Sequence, residues 1–291
     1  MEKIKELITD FFLNMITGAI ENLLGITFNI FDKSIENVQS GIVETPDEFA
    51  PEIVNTLRLI TETAVMPVAG IILTYVFCYE IYLLVAEKNK GNEFDTASLF
   101  YLIFKTSVVI ILVTNSFDIA LAFIDLGQWM IAKVPVETFA LTDSFKITLI
   151  DSIEDESDLG MGLSLLVIAL LSMIFSFGMA GIIYLVAWSR ILTIMIFISI
   201  APLPFATLMN SDWLGSIGQT YIKQLLALML QGFFMMICLV LYSGVINKAS
   251  ELIGNESSSI YAMIYLLVSM GILTLMLAKS HSTAKSVLGV V

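Results

Sequence analysis

Between Met161 and Met209 the chain runs for 49 residues with a single charge, Arg190. As a straight helix, at about 1.5 Å per residue, such a block is roughly 74 Å long, more than twice a bilayer core of about 30 Å. No water-soluble domain hides that much apolar chain in one piece. The block therefore crosses a membrane, in two passes or in one pass plus a long embedded segment. The composition agrees. Charged residues are 14% of the chain, where soluble proteins carry about 25%. Hydrophobic residues are 57%, and the mean hydropathy is +0.90.

The net charge of −13 sits mostly in the polar stretches. From Met1 to Thr63 four basic residues face eleven acidic ones, and from Asp143 to Asp158 six acids face Lys146 alone. Such surfaces repel phosphates, which argues against nucleic-acid binding on these pieces. Cys78 and Cys238 lie in apolar runs, and two thiols so placed exclude a disulfide framework. The start, Met1 to Phe12, lacks the unbroken apolar core of a cleaved signal peptide, so the first spanning helix is expected to direct insertion.

These patterns predict an all-α polytopic membrane protein with about six spans plus an N-terminal amphipathic helix. Residues 1–63 read as an acidic, extracytoplasmic region. Within it Leu7 to Phe31 is amphipathic, because Asp10, Asn14, Glu21, Asn22 and Asn29 recur and each charge at the bilayer centre costs about 2.5–3.5 kcal/mol. Pro46 and Pro51 mark a linker. Residues 64–114 form a hairpin of two spans around the charged turn EKNKGNEFD, and residues 115–160 an acidic extracytoplasmic loop. Residues 161–278 form a bundle. The long block supplies its third and fourth spans, Ile222 to Val245 the fifth and Ile260 to Ala278 the sixth. Residues 279–291 are a short basic tail. Lys88, Lys90 and Lys105 place the first turn in the cytoplasm. Six spans then leave Lys279, His281 and Lys285 outside, against the same rule.

Few residues invite chemistry. Glu80 and Lys105 each sit about six residues, or about 9 Å, from the same membrane face on neighbouring antiparallel helices. They form a buried ion pair, or both snorkel to the interface. Arg190, beside Trp188, anchors a hairpin end or lies on one long helix facing an acidic partner. Ser172, Ser176 and Ala180, with Gly181 adjacent, give a small-residue stripe for close helix packing, within the subunit or between subunits. Pro202 and Pro204 must break or kink the fourth span. With one histidine, His281, no pair of His ligands for a metal exists, and there is no phosphate-binding loop. The fifteen methionines are scattered apolar filler rather than a copper path. No catalytic residue and no cofactor are expected.

Several stretches together resemble a known family: VMPVAGIILTYVFCYEIYLLV from Val65, FKTSVVIILVTNSFDIALAFIDLGQ from Phe104, SRILTIMIFISIAPLPFATLMNSDWLGSIGQTYIKQLLALMLQGFF from Ser189, and the tail LAKSHSTAKSVLG. They are similar to the TrbL family of polytopic inner-membrane subunits of type IV secretion systems, in the form found in Gram-positive conjugative elements. The resemblance runs from about residue 50 to the end and is most specific over Arg190 to Phe205 and Trp213 to Phe234. It implies a scaffold or channel role in the bacterial cytoplasmic membrane, at the base of a conjugation apparatus. The subunit would help form the path for DNA–protein substrate, or a platform for extracellular fibre assembly. It implies homo-oligomers and partner subunits including an ATPase, since no nucleotide site is present here. In the family the segment between the second and third spans faces outward and the C-terminus is often cytoplasmic. Direct nucleic-acid contact is not supported by the charge, and a basic protein is the better partner for the acidic loop. The alternative is a secondary transporter of small solutes, which is expected to show repeated halves and paired broken helices; only one Pro break and no matching half are present.

Overall fold

The computed structural model describes residues 2–88, 96–134, 143–154, 158–210, 214–255 and 259–290. Every regular element among them is helical: α1 (Glu2–Val43), α2 (Pro46–Phe49), α3 (Pro51–Ile60), a π-helical turn (Thr61–Val65), α4 (Met66–Lys88), α5 (Thr96–Thr114), α6 (Ser116–Ile131), α7 (Asp143–Glu154), α8 (Leu159–Ser199), α9 (Pro202–Thr207), α10 (Gly215–Asn255) and α11 (Ser259–Val287). Six helical stretches are long and apolar enough to cross a membrane: Leu7–Val43, Pro51–Ala86, Ala97–Thr114, Leu159–Ser199, Gly215–Ile253 and Ser259–Val287. The protein is an all-α polytopic membrane protein. The six are not the six expected. The N-terminal amphipathic helix joins them by length and composition, and the expected third and fourth spans are one helix, α8. No Gly or Pro interrupts Trp188-Ser189-Arg190, so nothing there stops the backbone ladder.

The chain divides into two compact units. The first contains Met1–Val43, Lys133–Trp188 and Phe234–Ser280. In it α8 has the polarity of a helix solvated by lipid. It buries Ala169, Ser172, Ser176, Ala180 and Ala187, and exposes Leu163, Val167, Leu170, Ile174, Phe177 and Leu185. Small residues let backbones approach where no aqueous hydrophobic effect drives association. Ser176 Oγ donates to the Thr27 carbonyl across the contact with α1. Helix α1 packs the opposite kind of face: Ile20, Leu24, Phe28, Phe31, Ile35, Val38 and Ile42 repeat at three and four residues and are buried.

The acidic stretch read as a loop contains helix α7. Phe145, Leu149 and Ile153 fall four residues apart and are buried, while Lys146 Nζ reaches Asp32 Oδ2 on α1 at 2.8 Å. Ser259 Oγ donates to the Ser152 carbonyl and ties the end of α7 to the start of α11.

The second unit contains Glu44–Ala132, Ser189–Phe233 and His281–Val291. The linker at Pro46 is a short helix held by a capping box: Thr45 Oγ1 accepts from the Glu48 amide, and the Glu48 carboxylate accepts from the Thr45 amide. Pro51 then opens a helix that continues through the π turn into α4. Arg58 bridges to Asp118 of α6 at 2.7 Å and lies over the Phe117 ring. Short α9 is the centre of this unit, packed by α4, α5, α6 and the π turn.

Ala180→Leu forces three extra carbons into the buried seam of α8 and is expected to destabilise by about 1–3 kcal/mol. Gly181→Leu, where a side chain meets open space, is expected to stay within about 0.5 kcal/mol of the parent. Thermal unfolding in one detergent checks both.

Candidate functional site

The most constrained point of the second unit is the end of α8, where Pro202 and Pro204 remove two backbone donors. In an unbroken helix their amides would bond the carbonyls of Ile198 and Ile200. Here the preceding residues take over: the Ala201 amide bonds the Ile198 carbonyl, and the Leu203 amide bonds the Ile200 carbonyl. This tightening to three-residue spacing releases the carbonyls of Phe197 and Ser199. Both are claimed by hydroxyls from elsewhere in the unit. Tyr221 of α10 donates to the Phe197 carbonyl at 2.7 Å, and Thr61 of the π turn donates to the Ser199 carbonyl at 2.9 Å. The expected break at Pro202 and Pro204 is therefore present, and both prolines are buried in α9. Tyr221 also stacks on Phe197 and meets Phe205 edge to face.

The end of α9 and the start of α10 lie close together. Thr207 Oγ1 donates to the Pro204 carbonyl, and Asn210 Oδ1 accepts from the Leu214 amide. The second helix starts so close that a Cβ on Gly218 would lie 2.6 Å from the Pro204 carbonyl oxygen. Asn210, buried, also donates to Glu80 Oε1 at 3.2 Å, linking α4 to this turn. Glu80 and Lys105 stand half-buried on α4 and α5, two helices that pack together. Trp213 lies outside the described residues.

Arg190 does not anchor a hairpin. It lies inside continuous α8 and is 2% exposed. Its guanidinium lies over Gly232 of α10: a Cβ there would stand 2.5 Å from Nη2 and 2.9 Å from Ile131 Cδ1. Only the absence of a side chain at 232 makes that slot. One residue earlier, Gln231 Oε1 and His281 Nδ1 are 3.1 Å apart. Of the small-residue stripe, Ser172, Ser176 and Ala180 face inward within the first unit, while Gly181 is exposed.

Thr61, Tyr221, Asn210 and Gly232 carry this site and were not legible as such. Thr61 sits in a polar run, and the others sit in apolar helices where one polar or small residue is commonplace. Their partners are 24 to 138 residues away. The arrangement supplies positioned backbone and hydroxyl groups rather than a nucleophile with a base. Among the described residues no three His, Cys, Asp or Glu side chains group as metal ligands.

Thr61→Val leaves the buried Ser199 carbonyl without its hydroxyl and is expected to destabilise by about 1–3 kcal/mol, and Tyr221→Phe does the same at Phe197. Thr61→Ser, which keeps the donor, is expected to fall near the parent in the same detergent melt.

A family model described as TrbL/VirB6 plasmid conjugal transfer like protein matches residues 31–202, more than half of the chain. The match takes in the last part of α1 and α2 to α8 and ends at Pro202, so it reaches the α8 break but not the Trp213 to Phe234 stretch. No curated protein and no solved structure matches the chain. The apolar helices, the proline break and this match agree with the resemblance seen in the sequence: the chain belongs to the TrbL/VirB6 plasmid conjugal transfer-like family.

Proposed function

We propose that the protein is a non-catalytic scaffold or channel subunit of a conjugative type IV secretion machine. It helps to move DNA–protein substrate across the bacterial cytoplasmic membrane, or to assemble the extracellular fibre. The observation that carries this reading is the family match across 31–202, over helices whose outer faces hold large apolar side chains. A structural part must keep its shape in lipid without water to repair broken backbone bonds, and the fully satisfied break at Pro202 and Pro204 supports that role. Energy then comes from an ATPase partner, and the subunit works as a homo-oligomer.

The single helix α8 bears on orientation. With the turn carrying Lys88 and Lys90 inside and α7 outside, one pass through α8 followed by α10 and α11 brings Lys279, His281 and Lys285 to the cytoplasm. Two passes would have left them outside. The basic tail then obeys the charge rule. In the same frame Glu80 and Lys105 act as a coupled pair near the cytoplasmic face.

Deleting the gene is expected to abolish conjugal transfer without slowing growth, and the intact chain to restore it. A cysteine at exposed Asp151, in a chain lacking Cys78 and Cys238, is expected to react with an impermeant maleimide on intact cells. Normal transfer after deletion would overturn the secretion role, and labelling only after lysis would invert the orientation. For the pair, Glu80→Gln is expected to lower the thermal midpoint, with Lys105→Gln in the same chain partly restoring it; strictly additive losses would count against coupling.

A further inference from the structure

The break at Pro202 and Pro204 leaves a space beside it. A cavity of about 570 Å³ opens between α4, α9 and the start of α10, all of them in the second unit. Pro204 and Thr207, both buried, form its floor, while Ile71, Tyr75 and Ile217, all exposed, stand at its rim. The walls are carbon almost throughout. Even the Thr207 hydroxyl is turned back to the Pro204 carbonyl. A water molecule stays in such a space only with about two to four polar partners, so water is a poor occupant.

The depth of the cavity follows from the charges on α3 and α4. Between Pro51 and Lys88 this continuous helix carries Glu52, Arg58, Glu62, Glu80, Glu87 and Lys88. A span takes about 20 residues and tolerates few charges. Every stretch of that length with no more than one charge contains Pro67 to Cys78, and therefore Ile71 and Tyr75. The rim lies in hydrocarbon wherever along the helix the span is drawn.

Size then selects the occupant. A helix about 10 Å across fills roughly 420 Å³ for each turn of about 5.4 Å, so a second helix would fit by little more than one turn. A cavity of about 150 Å³ holds benzene, or about 25 Å³ per carbon. On that scale about 570 Å³ takes roughly 20 carbons, the size of one lipid chain.

We propose that this cavity is a binding site for one acyl chain of a membrane phospholipid, held against the broken end of α8. The site goes beyond the secretion role and does not depend on it. Among the residues of α9, Leu203 is the one left half-exposed, and it lines the cavity. A chain lying there completes the burial of the short helix around which α4, α5 and α6 pack. A flexible chain suits the irregular wall that a proline break leaves, and it restores the dispersion contacts that a void of this size forfeits.

The test uses the purified chain in vesicles of phosphatidylglycerol and phosphatidylethanolamine. A small fraction of the phosphatidylglycerol carries a diazirine midway along one acyl chain. After illumination, adducts are mapped by peptide mass spectrometry at Ile71 and Ile217 on the rim, and at Ile103 and Ile110 on α5 as controls. All four are exposed isoleucines, so intrinsic reactivity is matched. At least fivefold more adduct is expected at Ile71 and Ile217 than at the controls. Ile72→Trp or Leu203→Trp, each enlarging a half-buried wall residue, is expected to remove that excess and leave the controls unchanged. Where a tryptophan variant fails to accumulate, Ile72→Phe is the smaller plug. Equal adducts at all four positions would mean bulk lipid only, and the proposal falls. Fewer adducts at the rim than at the controls, with dimers on cross-linking, would give the surface to a second copy of the chain and also overturn it. So would an excess that persists in the plugged variants. Normal transfer after gene deletion, which would sink the secretion role, leaves this result untouched.

Discussion

The backbone at the end of α8 sets the terms for its unit. Two prolines two residues apart remove two amide donors in apolar surroundings, where an unmet carbonyl costs several kcal/mol on the scale for groups without water. The local response, a shift to three-residue hydrogen bonds, only moves the deficit to Phe197 and Ser199. Closing it takes Tyr221 from α10 and Thr61 from the π turn. Helix α9 then becomes the piece around which α4, α5 and α6 pack, because its own position is fixed by both partners. The π turn has a matching explanation: the extra residue in its ring presents Thr61, which is fully buried, and its one hydroxyl proton is shared between the carbonyls of Leu57 and Ser199, both within 2.9 Å.

A second constraint is the solvent. Helices α1 and α8 sort their polar and apolar residues oppositely. α8 hides serine and alanine and shows leucine and phenylalanine; α1 hides isoleucine and phenylalanine and shows asparagine and glutamate. The first sorting is that of a helix in lipid and the second that of a helix in water. One packed unit thus carries both kinds of exterior, which a simple lipid-facing bundle does not require.

Arg190 illustrates how far a single residue can be read in isolation. Its charge inside an apolar block marks it as unusual, and both an interfacial anchor and a place on a long helix are compatible with the sequence. What excludes the anchor is that α8 runs unbroken through Arg190 with the side chain buried, and Gly232, by its missing side chain, opens the slot between α8 and α10 that the guanidinium occupies. The same holds for α7. Six acids in sixteen residues point to a solvated loop, but Phe145, Leu149 and Ile153 fall at helical spacing and are buried with Lys146 paired to Asp32.

Class, membrane setting, the break at Pro202 and Pro204 and the family resemblance were all set by the sequence, because they depend on local quantities: apolar run length, the missing proline amide and the order of particular residues. The small-residue stripe was legible for the same reason, although whether it packed within or between subunits was not. Tertiary structure alone decided that Met161 to Met209 holds one long helix and a short one, that Arg190 is buried, and that Thr61, Asn210 and Tyr221 close the bonds around the break. Those outcomes depend on which distant groups meet, and a hydroxyl or amide in an apolar helix looks the same in sequence whether it bonds its own turn or a carbonyl more than a hundred residues away.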